Sequence, residues 1–205
     1  IDISNIRRIQ TMSSFATGTS NTETLIIGEN TVLVNENSLE HAFDGCNIRG
    51  TIDLSNLIPP ERLSLSYTFN SHFYGRVILG TTEKPGILSA KITNLYETFY
   101  QGLRYTCVGL SDLDTSECTN FTETFNNTGV NYGGTVDISK WNMSNANEIT
   151  SMLNLPYGYI KKLIIPATNG NGISNTTTTI YGKNKNIYDN IRVPSDCEVV
   201  LGSSQ

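Results

Sequence analysis

The chain repeats itself, and this constrains its fold more than any other feature. A four-residue pattern of apolar, any, apolar, then Ser, Gly or Pro recurs along the whole length. It reads IDIS at Ile1, LIIG at Leu25, IDLS at Ile52, VILG at Val77, VGLS at Val108, VDIS at Val136, LIIP at Leu163 and IRVP at Ile191. Spacings run from 24 to 31 residues and average about 27. One such match carries no information. Eight at a near-constant period mark a repeated supersecondary unit.

A second landmark fixes the register. Phe69, Phe125, Leu153 and Ile180 each lie 17 residues after the first apolar position of their unit, while Phe43 lies at 18, Phe15 at 14 and Phe99 at 22. Four residues earlier stand Leu39, Leu65, Leu95, Phe121 and Ile149. An i, i+4 apolar pair shares one face of a helical turn, so each unit reads as a short strand, a polar turn, and one or two helical turns. The apolar-x-apolar alternation points both apolar side chains of the strand inward. A further inward rung is expected at Ile92, Cys118, Ala146 and Ile173, and a mixed one at Ile6, Leu57, Leu113 and Trp141, where other units carry Asn30, Thr82 and Thr168. No unit buries its own core, so neighbours must stack. The expectation is an α/β solenoid of about eight units. A parallel sheet forms one side and short helices or turns the other.

Composition agrees with stacking. Only 16% of residues are charged, while Thr 25, Asn 23 and Ser 19 make up about a third of the 205. Identical positions lie above one another in a solenoid, so charges would form repelling columns, whereas Asn, Thr and Ser form neutral hydrogen-bonded ladders. Asp at the middle strand position occurs at Asp2, Asp53 and Asp137, never in adjacent units. The net charge of −5 argues against nucleic-acid partners. No apolar run reaches the ~18 residues of a membrane span. The chain opens Ile-Asp-Ile-Ser without Met or a leader, which suggests a removed leader or a longer protein. All 205 residues read as a single repeat domain.

The segments DLDTSECTNFTETF (112–125) and DISKWNMSNANEITSML (137–153) resemble the BspA-like leucine-rich repeats of bacterial surface proteins. Phe43-Asp44-Gly45-Cys46 is similar to the piece that follows those repeats, and IRVPSDCEVVLGSSQ to the family's closing unit. The chain departs from the pattern at Cys118 and Ala146, and in about five extra residues between Gly80 and Ile92. The resemblance implies a right-handed leucine-rich-repeat-like coil. It also implies a secreted, cell-surface or virion setting, with adhesion to host proteins or other cells. Related repeats also occur in phage structural proteins, which implies sister subunits as alternative partners. The family shares no catalytic residues, so no enzyme activity and no cofactor are carried over.

The outward positions of the strands form a stripe, and solenoids use such surfaces for extended recognition. Its candidate ligand-binding residues are Ile26, Asp53, Ile78, Asp137, Ile164 and Arg192. The bland alternative is that strands simply favour β-branched residues. The insert 81–91 reads as either a functional loop or a tolerated surface insertion, the latter favoured because long surface insertions cost little. His41 and His72 stand at different offsets, and the acidic turn Asp112, Asp114 and Glu117 lacks a calcium-loop pattern, so no metal site is read. Cys46, Cys107, Cys118 and Cys197 follow no zinc spacing. Cys107 and Cys118 are the one pair close enough in sequence for a disulfide, and buried thiols are the competing reading. Carboxylates for glycoside hydrolysis must face each other across a cleft, and Asp2, Asp53 and Asp137 share one flat sheet. Arg7, Arg8, Lys161, Lys162, Lys183 and Lys185 read as solvated charge.

Overall fold

The computed structural model describes residues 1–19, 23–71, 75–102, 106–128, 134–155, 160–166, 178–180, 183–185 and 191–202. It is a parallel β-solenoid of about five turns through its longest sheet. That sheet stacks Asp2–Ile3, Thr24–Ile27, Thr51–Asp53, Arg76–Ile78 and Cys107–Val108 in sequence order, all parallel. Gly134–Asp137, Ile160–Ile165 and Glu198–Leu201 form a separate three-stranded parallel sheet. The expected single run of eight equal units is therefore not what forms. The strands group as five and three.

A second row of strands follows a corner in the first coils: Arg8–Ile9, Thr31–Leu33 and Leu57–Ile58. A third pairs Arg62–Ser64 with Lys91–Asn94 and continues through single bridges to Asp114, Asn120 and Glu148. The inward residues fill one core. Ile52, Leu54, Val136, Ile138, Leu163 and Ile165 are fully buried, as the alternation requires. So are the rungs Ile92, Cys118 and Ala146. Ile6 is an exception: it is 42% exposed, and Ile9 takes the inward place. Ile173 lies outside the described residues.

No α-helix occurs among the described residues; the helical elements are two 3₁₀ turns, Gly86–Ser89 and Leu110–Asp112. The i, i+4 apolar pairs expected on helical turns sit instead on chains of β-turns. In one coil, Leu95 O, Glu97 O and Phe99 O accept from Thr98 N, Tyr100 N and Gly102 N. The intervening amides Glu97 N, Phe99 N and Gln101 N donate to Thr122 O, Thr124 O and Asn126 O of the next coil, at 2.9–3.0 Å. Positive φ at Tyr67, Ser71, Glu97, Gln101, Glu123 and Asn127 makes this possible. The physical reason is spacing. Coils bonded amide to carbonyl lie ~4.8 Å apart, and a helix needs about 10 Å. Half of the amides must leave the coil, which a helix forbids.

Inside these turns runs an aromatic column. Phe43, Phe69, Phe99 and Phe125 are fully buried. Successive rings stack with centroids 5.4, 5.7 and 5.3 Å apart and planes within 11° of parallel. Trp141 extends the column at 5.7 Å from Phe125, its Nε1 donating to Leu110 O at 2.8 Å. Buried threonines form a parallel ladder: Thr68, Thr98 and Thr124 donate to Leu39 O, Leu65 O and Leu95 O of the preceding coil, at 2.8–3.0 Å. This is the neutral ladder that the low charge content anticipates.

Candidate functional site

The stripe follows from strand register. In the first sheet, Asp2 pairs with Ile26, Leu25 with Ile52, Asp53 with Ile78, and Ile78 with Val108. One outward row therefore runs Asp2, Ile26, Asp53, Ile78, Val108. In the second sheet Asp137, Ile164 and Val200 continue the theme. Ile26 is 48% exposed, while Ile78 and Ile164 are half-buried. Single carboxylates stand among β-branched apolar side chains, which are themselves neighbours at Ile78 and Val108 and at Ile164 and Val200, and no two outward Asp are neighbours.

The two aspartates have an internal task. Asp53 Oδ1 accepts from Ser55 N and Asp137 Oδ1 from Ser139 N, both at 2.9 Å. Asp2 does the same with Ser4 N and Asp114 with Ser116 N. Asn94, Asn120 and Asn142 repeat it two residues ahead of Tyr96, Thr122 and Ser144. These are Asx turns, which close the corner after a strand. That bond lowers the Asp2 carboxyl below its ordinary range. Asp53 and Asp137 are half-buried on the outward row, so the same residue closes a turn and places a carboxylate on that face.

Two assignments shift. Arg192 is not on this sheet: Ile191–Arg192 pairs with Leu153–Asn154 on the turn side, and Glu198–Leu201 occupies the sheet position in the last coil. The IRVP motif matches the inward pattern, but the turn path continues through it. In the unit at Val108 the strand is slipped by one residue. Cys107, not Val108, pairs with inward Val77. Gly109 at φ 84° then returns Leu110 to the core. Val108 and Val200 thereby join the outward row.

Several charges around the stripe are paired or hydrogen-bonded. Lys162 bridges Glu198 at 3.2 Å and Lys161 bridges Asp196. Arg7 donates to Glu29 O. The acidic turn is dispersed among separate partners. Asp112 binds Lys140 at 2.6 Å, while Glu117 binds Lys91 at 2.8 Å and Arg62 at 3.3 Å. His41 Nδ1 lies 3.0 Å from Asp44 and the ring stacks on Tyr67 at 4.3 Å; His72 lies outside the described residues. All four cysteines are free. Burial pushes the Cys46 thiol up to about 11 and Cys118 to about 12. Among the described residues no three His, Cys, Asp or Glu side chains are grouped to hold a metal, and no helix is long and apolar enough to cross a membrane.

Comparison with protein-family models, with curated proteins and with solved structures finds no match to this chain.

Proposed function

We propose that this chain is a non-enzymatic binding module of the BspA-like repeat type, displayed outside the cell, on its surface or on a virion. It holds a protein or glycan ligand against the outer face of the parallel sheet. The observation that carries the reading is the outward row Ile26, Asp53, Ile78 and Val108, repeated as Asp137, Ile164 and Val200. Apolar side chains at fixed intervals, interspersed with single carboxylates, suit an interface with an apolar centre and polar surroundings. The backbone beneath is held on both edges, so little order is lost on docking.

Ile26→Asp with Ile78→Asp tests this. The labelled wild-type domain should be retained on cultured epithelial cells or on immobilised extracellular-matrix proteins. The double variant should lose roughly 30-fold in affinity, about 2 kcal/mol of hot-spot burial, with its circular dichroism unchanged. Equal retention of both proteins would refute the reading.

A second reading is a structural block whose copies stack end to end. The exposed Ile1 and Ile6 on the first coil and Val199 and Leu201 on the last favour it. Sedimentation equilibrium separates the two. A structural block associates with itself, and Ile6→Asp weakens that association while Ile78→Asp does not.

A further inference from the structure

The second row of strands stops at Leu57–Ile58. In the next coil the extra residues after Gly80 take the place where another strand would pair. They are not a loose loop. Thr81 N donates to Lys84 O at 2.7 Å, and Lys84 N donates to Thr81 Oγ1 at 3.1 Å. Ile87 is fully buried and its amide donates to Leu79 O. Gly86 has φ 50°, and a Cβ there would stand 2.6 Å from Leu54 O and 2.7 Å from Leu79 O. Only glycine lets the segment press this closely on two strands.

Anchored in this way, the segment walls a groove of about 300 Å³ against the second and third coils. Ile58, 45% exposed, forms its apolar floor, and Pro85 stands in the wall. Lys84 reaches across the groove to Glu29 Oε1 at 3.0 Å and Asn56 Oδ1 at 3.1 Å. Asn56 is itself oriented by donating to Ile27 O. Glu83 lies beside Lys84 on the rim.

The lining selects a ligand chemistry. Among the described residues lining the groove, Lys84 is the cation set against Glu29 and Glu83, so the charge balance disfavours phosphate or another anion. The apolar lining is limited to Ile58, Pro85 and the buried Leu57, too little for an aliphatic or drug-like ligand, whose pockets are mainly apolar. Donor and acceptor stand side by side around one apolar patch. Adjacent sugar hydroxyls use both, each accepting from an ammonium and donating to a carboxylate, while a pyranose ring offers its C–H face to the floor. We infer that this groove binds a glycan through one neutral pyranose unit, seated on Ile58 and Pro85 and hydrogen-bonded by Lys84, Glu83 and Glu29. This site is distinct from the sheet face and does not depend on it.

Saturation-transfer NMR on the full chain tests this, with the methyl glycosides of glucose, galactose, mannose and N-acetylglucosamine as probes and glucuronic acid as an anionic control. At least one neutral probe should receive saturation, with a dissociation constant on the order of 1 mM. Lys84→Ala and Glu83→Ala should each weaken it roughly ten-fold, and Ile58→Ser should abolish it. Ile26→Asp on the sheet face should leave it unchanged, which separates this site from the proposed sheet-face function. Lys84 and Glu83 are exposed, so their variants keep the fold if Ile58→Ser does not. The inference is overturned by no transfer to any neutral probe at ~20 mM. A dissociation constant left unchanged by Lys84→Ala, or transfer to glucuronic acid alone, overturns it too.

Discussion

Replacing Phe99 removes a middle ring of the aromatic column, and the structure sets the size of the effect. Phe99 is fully buried and stacks on Phe69 at 5.7 Å and on Phe125 at 5.3 Å. Each such pair contributes about 0.5–1.5 kcal/mol beyond area burial. Phe99→Leu keeps most of the volume and loses both stacks, so it should cost about 1–3 kcal/mol. Phe99→Ala also opens a cavity that the coils above and below hold open, since their spacing is fixed by the amide ladder. Its cost should approach about 5 kcal/mol. Ile26→Ala, on the outer face, should stay within about 0.5 kcal/mol. Urea unfolding followed by circular dichroism measures all three. Coils contact mainly their neighbours, so the damage should also be local. Amide exchange should accelerate first at 67–71 and 123–127, which pack beside the missing ring, and last at the first-coil strands. A cost below about 0.5 kcal/mol for Phe99→Leu, or exchange that rises equally in all coils, would refute the column as a stabilising element.

Gly86→Ala should force the 81–90 segment off the core because its Cβ meets Leu54 O and Leu79 O. The melting temperature should fall by several degrees for about 1–2 kcal/mol of strain, and an unchanged melt would contradict that packing. Glu117 is held below the ordinary carboxylate range, chiefly by its hydrogen bond from Lys91. A depressed folded value stabilises the fold above the unfolded carboxylate range, and that contribution disappears as pH falls through the depressed value. Melting temperatures from pH 7 towards about pH 2 should therefore show a steeper acid limb in wild type than in Lys91→Ala, and identical limbs would count against the ion pair. Iodoacetamide at pH 8 should label Cys46 and Cys118 far more slowly than in the urea-unfolded chain, since burial raises both thiols. Equal labelling by mass spectrometry would contradict their burial.

The period and the inward pairs were legible because strand alternation leaves a direct trace: Ile52 and Leu54, or Leu163 and Ile165, are apolar for one reason only, burial. The turn side was legible in position but not in conformation. Leu95 and Phe99 meet equally well on a helical turn and on alternating β-turns, and only a 4.8 Å stacking constraint on every side decides between them. That constraint is a property of neighbours, not of one unit. The slip at Val108 was hidden by Gly109, which absorbs a one-residue offset that a residue with a Cβ would resist. Arg192 was misplaced because IRVP imitates a strand motif while the hydrogen bonds put it beside Asn154. For Asp53 and Asp137 a usable signal was present. The Asp-x-Ser spacing also occurs at Asp2 and Asp114, and it announces a turn-closing carboxylate wherever the strand leaves the sheet. The groove beside the insert escaped notice because an insertion read from sequence has length but no path.

The splitting of amides between turn and neighbour has a mechanical side. Each coil is fastened to the next by rows of N–H···O bonds, threonine hydroxyls and stacked side chains ranged along the stack, and with all four cysteines free no disulfide ties adjacent coils. Tension applied between the two ends therefore loads one terminal coil at a time, whose bonds open in succession like a zip. A coil of about 27 residues releases roughly 90 Å of chain when it peels away. A module placed between a surface and whatever it holds would lengthen in steps of that size before letting go, and optical-tweezer traces would display a staircase instead of one rip.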